Sequence, residues 1–133
     1  MNDNNTFFVD NFSRVNSVPT SVLYAADGRK VLDLETADLS SLMVTGYKFP
    51  ETFKVKADDG ITDLFGVMYK PFDFDPTKKY PVMINIYGGP NAGTVRDGWQ
   101  YNGLAQWWAK EGLIQVAMDH RASGHFGKEG INY

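Results

Sequence analysis

The stretch NIYGGPNAG, residues 85–93, places a tyrosine and three glycines directly after an apolar run. Such a turn can cradle a phosphate, expose the tyrosine hydroxyl to a developing oxyanion, or only reverse the chain. The phosphate alternative lacks its main cation, because Thr94 stands where a P-loop carries lysine. Pro90 also occupies the second-glycine position of a dinucleotide fingerprint and brings no N–H. Phosphate binding is therefore disfavoured, and Tyr87 becomes the candidate.

Tyr87 ends a predicted strand, at the carboxyl edge where open α/β sheets keep their sites. A phenol with an unperturbed pKa of about 10 stays protonated at neutral pH and can donate to an oxyanion. Gly88 and Gly89 would let a substrate approach this hydroxyl without a side-chain clash. A purely structural tyrosine at the end of a strand is the alternative, and the residues alone leave both open.

Neither a nucleophile nor a metal site is recognisable in the sequence. The chain has no cysteine, which excludes disulfides and thiolate chemistry. The pattern G-x-S-x-G is absent, and Ser123 follows a predicted strand by five residues instead of lying on a sharp strand-to-helix turn. The two histidines, His120 and His125, lack the spacing of metal ligands. We therefore expect no nucleophile, no metal and no cofactor in this chain.

The composition is that of an ordinary globular protein, with 43% hydrophobic and 22% charged residues among 133. A net charge of −3 with scattered lysines and arginines argues against nucleic acid as a partner. The N-terminal residues MNDNNTFFVD have neither the basic nor the apolar region of a signal peptide. No stretch approaches the roughly 20 apolar residues of a membrane helix, so no membrane span is expected.

Two Asp-Gly pairs predict two β-hairpins in the first half of the chain. Asp27-Gly28 follows an apolar run, 21–24, whose Pro19 places it at a sheet edge or at the start of a strand. Asp59-Gly60 separates a second pair of strands, and Gly66 in the returning strand predicts a bulge or a close backbone approach. Residues 36–43 are predicted to form a short helical turn, and residues 70–81 a solvated loop.

The second half predicts a β-turn-α-β unit over residues 82–118. The nearly continuous apolar runs 82–87 and 113–118 are typical of parallel strands covered on both faces. A helix is predicted from about residue 97 to 111, ended by Gly112. One helix face carries four large side chains: Tyr101, Leu104, Trp107 and Trp108.

Two parallel strands alone would leave both of their outer edges unpaired. Unpaired strand edges recruit other strands. The sequence therefore predicts a homo-oligomer or a swapped arrangement.

The motif KKYPVMINIYGGP, the Trp-bearing helix and VAMDHRASGHFG resemble in their order the start of the catalytic domain of the prolyl oligopeptidase family. The closest resemblance is to the dipeptidyl peptidase IV branch, including bacterial dipeptidyl aminopeptidases. The upstream DNFSRVNSVPTSVLYAADGRKVLDLE is similar to the last propeller strands before that domain. The resemblance implies a mixed α/β chain, with terminal β-propeller strands in residues 1–47. Residues 48–133 would be the N-terminal part of an α/β-hydrolase domain, a β-hairpin and then a βαβ unit, ending before the nucleophile elbow.

The same resemblance implies the roles of individual residues. Tyr87 matches the family's oxyanion-hole tyrosine, and the triad of Ser, Asp and His would lie beyond Tyr133. Ala122 and His120 depart from the residues usual in the family's second loop. The residues expected to shape the site are Gly88, Gly89, Pro90, Asp119 and Arg121.

The implied parent is a periplasmic or secreted serine exopeptidase that releases Xaa-Pro or Xaa-Ala dipeptides from peptide substrates by acyl transfer. The chain would be an internal fragment of that enzyme and inactive by itself. The alternative is a non-catalytic β-rich interaction module, in which Tyr87 and the tryptophans are core or contact residues.

Overall fold

The computed structural model describes residue 4 and residues 6–132, which form a small β-rich structure with few helices. Two separate sheets are present in this part of the chain, one of three strands and one of four. No helix among the described residues is long and apolar enough to cross a membrane. The strands are β1 (Phe7–Arg14), β2 (Ser17–Ala25), β3 (Lys30–Thr36), β4 (Glu51–Lys56), β5 (Asp63–Tyr69), β6 (Val82–Asn85) and β7 (Ile114–Met118). The helices are α1 (Ser40–Met43), α2 (Gly103–Lys110) and α3 (Gly127–Ile131), with a 3₁₀ turn at Arg121–Ser123.

The three-stranded sheet is antiparallel in the order β1-β2-β3, and its second turn confirms the predicted hairpin. Gly28 adopts a φ of +87°, which glycine reaches without steric cost. Of the two predicted places for Pro19, a sheet edge or the start of a strand, the sheet edge is wrong, because β2 is the central strand. Pro19 is the third residue of β2, beside a register irregularity between Phe12 and Arg14 of β1. An irregular ladder tolerates the missing N–H.

The four-stranded sheet has the order β4-β5-β7-β6. β4 and β5 form the predicted second hairpin, and Phe53 pairs with Gly66 across it. The Phe53 ring covers Gly66 so closely that no Cβ would fit there, and the strands pair here without a register shift, so Gly66 makes room for a side chain and marks neither a bulge nor a close backbone. β6 and β7 are parallel, as predicted. The expectation that both outer edges of this pair are open is wrong, because β5 pairs antiparallel with β7 and leaves only the β6 edge without a strand among the described residues.

Helix α2 is shorter than predicted, and it packs through a different face. Leu104 is 67% exposed and Trp107 is 51% exposed, so the face of large side chains is not the face that packs on the sheet. Ala105 and Ala109, four residues apart, are buried against Tyr69 of β5. Small side chains let the helix approach the sheet closely. Gly112 ends the helix as predicted, with a φ of +86°.

Strand β6 lies at the sheet edge, and all four of its residues are exposed. The prediction of a strand covered on both faces is therefore wrong in this chain, where Val82 and Ile84 are each 55% exposed. The strand also ends at Asn85, two residues before Tyr87. The core lies instead under α2, around Tyr69 with the neighbouring Val67 and Phe72.

Candidate functional site

Tyr87 is the second residue of the irregular segment that joins β6 to α2, and it is 61% exposed. Its ring lies over Gly89, where an added Cβ would come within 2.6 Å of the Tyr87 Cε1 atom. A Cβ on Gly88 would meet nothing within 4 Å. The two glycines thus differ, since Gly89 makes room for the tyrosine ring and Gly88 leaves open space beside it. Pro90 follows and leads into Asn91, whose φ of +58° turns the chain.

The second loop follows β7 and lies beside the first, because the parallel strands β6 and β7 end at the same edge of the sheet. The His120 Nε2 atom is 3.1 Å from the carbonyl oxygen of Tyr87. Its Nδ1 atom accepts a hydrogen bond from the Ala122 N–H, so the proton sits on Nε2 and is donated to that carbonyl. The Asn91 N–H also donates to the Ala122 carbonyl oxygen at 2.6 Å. Two backbone carbonyls, one from each loop, therefore hold the loops together.

Asp119 is the most heavily bonded residue of this arrangement and is only 3% exposed. Its Oδ1 atom accepts hydrogen bonds from the Thr94 N–H and the Thr94 hydroxyl, each at 2.7 Å. Its Oδ2 atom accepts from the Val95 N–H at 3.0 Å and from the His125 Nε2 at 2.9 Å. All four bonds come from the segment after the tyrosine turn or from the loop that Asp119 itself begins.

Burial by itself would raise the pKa of the Asp119 carboxyl, but the hydrogen bonds outweigh it. Donors on Thr94, His125 and Val95 together hold this pKa below its usual range. Asp119 is therefore an ionised carboxylate whose oxygens are engaged by protein donors. Because both of its oxygens already accept hydrogen bonds, Asp119 is suited to holding the two loops together and not to removing a proton from a substrate.

Arg121 points towards the turn between β4 and β5, and its side chain is 19% exposed. Its Nη2 atom lies 2.6 Å from Asp58 Oδ1 and 3.0 Å from Asp59 Oδ2. The guanidinium thus anchors the loop after β7 to the second hairpin. Its predicted place in the wall of a substrate site stays a prediction.

Ser123 is 4% exposed, and its hydroxyl has no hydrogen-bond partner among the described residues. His125, two residues away, already gives its Nε2 to Asp119. The hydroxyl is therefore buried without a base beside it. Among residues 4 and 6–132, no three His, Asp or Glu side chains are grouped as a metal site would require.

Sequence reasoning missed three residues that shape this site: Asn91, Gly93 and Thr94. Thr94 was considered only as the residue that replaces a P-loop lysine, yet it supplies two of the four bonds to Asp119. A Cβ on Gly93 would lie 3.3 Å from Asp119 Oδ2 and 3.3 Å from the Ser123 carbonyl oxygen. The position of Thr94 shortly after Tyr87 was the available signal, but its partner lies 25 residues further along the chain.

Comparison with known proteins gives one consistent group of relatives, although no family model matches the chain. The chain is 38% identical over 85 residues to dipeptidyl peptidase 8 of Homo sapiens, an alignment that covers 61% of this chain and 9% of that protein. It is 33% identical over 117 residues to a probable dipeptidyl-aminopeptidase B of Emericella nidulans, covering 84% of this chain and 13% of that protein.

Solved structures lead to the same group. The crystal structure of a putative dipeptidyl aminopeptidase IV from Bacteroides ovatus superposes with a TM-score of 0.73 at 36% identity. That superposition covers 87% of this chain and 17% of the other. The chain thus spans less than a fifth of the length of each of these proteins.

Proposed function

Because this chain is a homologue of the dipeptidyl peptidases, we propose that it is part of a serine exopeptidase that releases N-terminal Xaa-Pro or Xaa-Ala dipeptides. The observation that carries the proposal is the position of Tyr87, exposed at the carboxyl ends of two parallel strands. Ligand sites of open α/β sheets lie at such ends. The relatives indicate the class of reaction, and the exposed Tyr87 hydroxyl is a hydrogen-bond donor suited to that reaction.

The proposed architecture divides the chain near residue 47. Residues 1–47 would be the last strands of a β-propeller, and residues 48–133 the beginning of an α/β-hydrolase domain. The separation of an all-antiparallel sheet, β1-β2-β3, from a mixed sheet that contains the parallel pair β6–β7 supports this division. The connector between them contains only the short helix α1.

In the proposed reaction, a serine hydroxyl from outside this chain attacks the carbonyl carbon of the second residue of the peptide and gives its proton to a histidine base, also outside this chain. The C–N bond to the third residue breaks after a tetrahedral intermediate, the leaving amine takes that proton, and water later releases the dipeptide from the acyl-enzyme. Tyr87 would donate its hydroxyl hydrogen to the oxyanion of that intermediate. This chain by itself would be inactive, because Ser123 is buried and lacks a base.

A non-catalytic interaction module is the alternative function. The exposed side chains of Leu104 and Trp107 on α2 favour it, since large apolar residues on a surface often mark a contact site. Sequencing of the gene beyond the codon for Tyr133 separates the two functions. A G-x-S-x-G pattern there supports the peptidase, whereas an unrelated domain supports the module.

The peptidase is tested with the whole protein encoded by the gene and a chromogenic Xaa-Pro anilide. Tyr87→Phe removes only the hydroxyl, so we expect kcat to fall by about 10²–10³-fold with a smaller change in KM. Tyr101→Phe is the matched control, because Tyr101 is also an exposed tyrosine, at 62%, and lies at the far end of the same segment, directly before the N-cap of α2. An unchanged kcat in Tyr87→Phe would contradict the role of Tyr87.

The inactivity of the 133-residue chain is tested separately with a serine-directed fluorophosphonate. We expect no covalent adduct by mass spectrometry, and Ser123→Ala serves as the control for background labelling. An adduct on Ser123 of the folded chain would overturn this part of the proposal.

A further inference from the structure

The segment that follows the tyrosine turn is fixed by a single buried carboxylate. Asp119 takes hydrogen bonds from the backbone and the hydroxyl of Thr94 and from the backbone of Val95. Upstream, the Asn91 N–H and the Tyr87 carbonyl oxygen are bonded to the same loop that Asp119 begins. The turn that carries Tyr87 is therefore held at both of its ends by one loop.

Tyr87 and Thr94 also line the same open cavity of about 360 Å³, together with Ile86 and Ala117. A shift of Thr94 therefore changes the wall of a cavity to which the tyrosine also belongs. The ring has little other support, since Tyr87 is 61% exposed and rests on Gly89. An exposed tyrosine at the start of an irregular segment takes its position mainly from how that segment is anchored.

We propose that Asp119 and Thr94 are positioning residues for Tyr87, and that their hydrogen bonds fix the tyrosine hydroxyl where the oxyanion develops. The catalytic part of this inference, the effect on the oxyanion, rests on the proposed function. The structural part, that Asp119 and Thr94 fix the position of Tyr87, does not. The Asp119 carboxylate has both oxygens occupied by protein donors, so it acts through the turn and does not touch the substrate.

A structural arm of the test uses the 133-residue chain and needs no catalysis. All seven tyrosines are replaced by 3-fluorotyrosine, and the fluorine signal of Tyr87 is assigned by its loss in Tyr87→Phe. We expect Asp119→Asn to move or broaden the Tyr87 signal. An unchanged Tyr87 signal in folded Asp119→Asn would overturn the proposal.

Asp75→Asn is the matched control for this arm. Asp75 Oδ1 accepts from the Thr77 N–H at 2.9 Å and from the Thr77 hydroxyl at 2.7 Å, the same pair of bonds that Asp119 Oδ1 makes with Thr94. Asp75 lies in the loop between β5 and β6, so its replacement should leave the Tyr87 signal where it is. A shift of equal size in the control would contradict a specific link.

A kinetic arm uses the whole protein and a double-mutant cycle. We expect Asp119→Asn to lower kcat about 10- to 100-fold, because a displacement of about 1 Å in a catalytic group can have that effect. In a Tyr87→Phe background the same replacement should cost almost nothing further, since its effect passes through the missing hydroxyl. Fully additive losses would mean that Asp119 acts independently of Tyr87 and would overturn the proposal.

Thr94→Val keeps the test decisive if Asp119→Asn does not fold. Thr94→Val removes the hydrogen bond from the Thr94 hydroxyl to Asp119 and retains the Thr94 N–H and the side-chain shape. Thr94→Ser keeps the hydroxyl, so it should restore the Tyr87 fluorine signal and kcat. If Tyr87→Phe alone leaves kcat unchanged, the proposed function fails, and the fluorine signal still decides whether Asp119 and Thr94 position the ring.

Discussion

Asp59 closes the turn between β4 and β5 with hydrogen bonds that only its ionised form can accept in full. Its oxygens take the Thr62 hydroxyl at 2.5 Å and the N–H groups of Thr62 and Ile61 at 2.9 and 2.8 Å. The Thr62 hydroxyl lowers the pKa of Asp59 most, the two N–H groups add to this, and Arg121 contributes least, so that the pKa falls to about 2. The turn is therefore an acid-sensitive point of the fold.

The pH dependence of stability follows from this lowered pKa. A folded-state pKa of about 2 lies below the ordinary value of 3.8, so the contribution of Asp59 is present above pH 4 and is lost as the pH falls through about 2. We expect Asp59→Asn to lower the free energy of unfolding at pH 6 and to make its decline between pH 4 and 2 less steep.

Urea unfolding at several pH values measures the effect, with Asp58→Asn as the control. Asp58 also pairs with Arg121 but is not needed for the bonds within the turn. Parallel pH profiles for the wild type and Asp59→Asn would contradict the assignment to Asp59.

At the scale of elements, the β4–β5 hairpin depends on the fit of one aromatic ring over one glycine. Phe53 pairs with Gly66, and its ring occupies the space that a Cβ on Gly66 would need. We expect Gly66→Ala to lower the free energy of unfolding by about 1–3 kcal/mol, because the added methyl group overpacks this contact. Combining it with Phe53→Leu, which removes the ring, should recover part of that loss.

Gly98→Ala is the control for this prediction, since its Cβ would meet the Ser13 hydroxyl at an ordinary 3.9 Å. Chemical denaturation of the wild type and these three variants measures the differences in free energy of unfolding. A Gly66→Ala protein as stable as the wild type would mean that the ring moves aside without cost.

The elements that the sequence predicted well are those specified by local residues. Asp27-Gly28 and Asp59-Gly60 predicted their turns because positive φ is a property of the glycine itself. Gly112 predicted the end of α2 for the same reason. The packing face of α2 could not be predicted in this way, because Ala105 and Ala109 are buried only through contact with Tyr69, some 35–40 residues earlier in the chain.

The candidate site was predictable to the same extent. The parallel pairing of the strands before Tyr87 and Asp119 was predicted and is present in the structure, whereas Asp119 itself was named only through the family resemblance. The bonds from Thr94 to Asp119 were not predictable, because their partners are 25 residues apart and no local pattern marks them. Long-range contacts of single side chains require the fold before they can be recognised.

At the scale of the whole molecule, the described chain leaves apolar surface open on one side. Val82 and Ile84 of β6 are each 55% exposed, Ile86 directly after the strand is 67% exposed, and β6 has an outer edge without a strand among the described residues. A strand edge with unpaired N–H and C=O groups and apolar side chains is a template for another chain. On α2, the exposed Leu104 and Trp107 add further apolar surface.

We therefore expect the 133-residue chain to form homo-oligomers when it is produced alone, and β6 to be the point of contact. Light scattering at micromolar concentration should give a mass above that of one chain, and Ile84→Lys should reduce that mass by placing a charge on the edge strand.

Ile61→Lys is the matched control, because Ile61 is 80% exposed in the turn between β4 and β5, outside the β6 edge. A monomeric wild type would contradict the prediction, and equal effects of both lysines would place the contact elsewhere. Dissociation by Ile84→Lys alone would identify β6 as the edge that any longer form of this protein must cover.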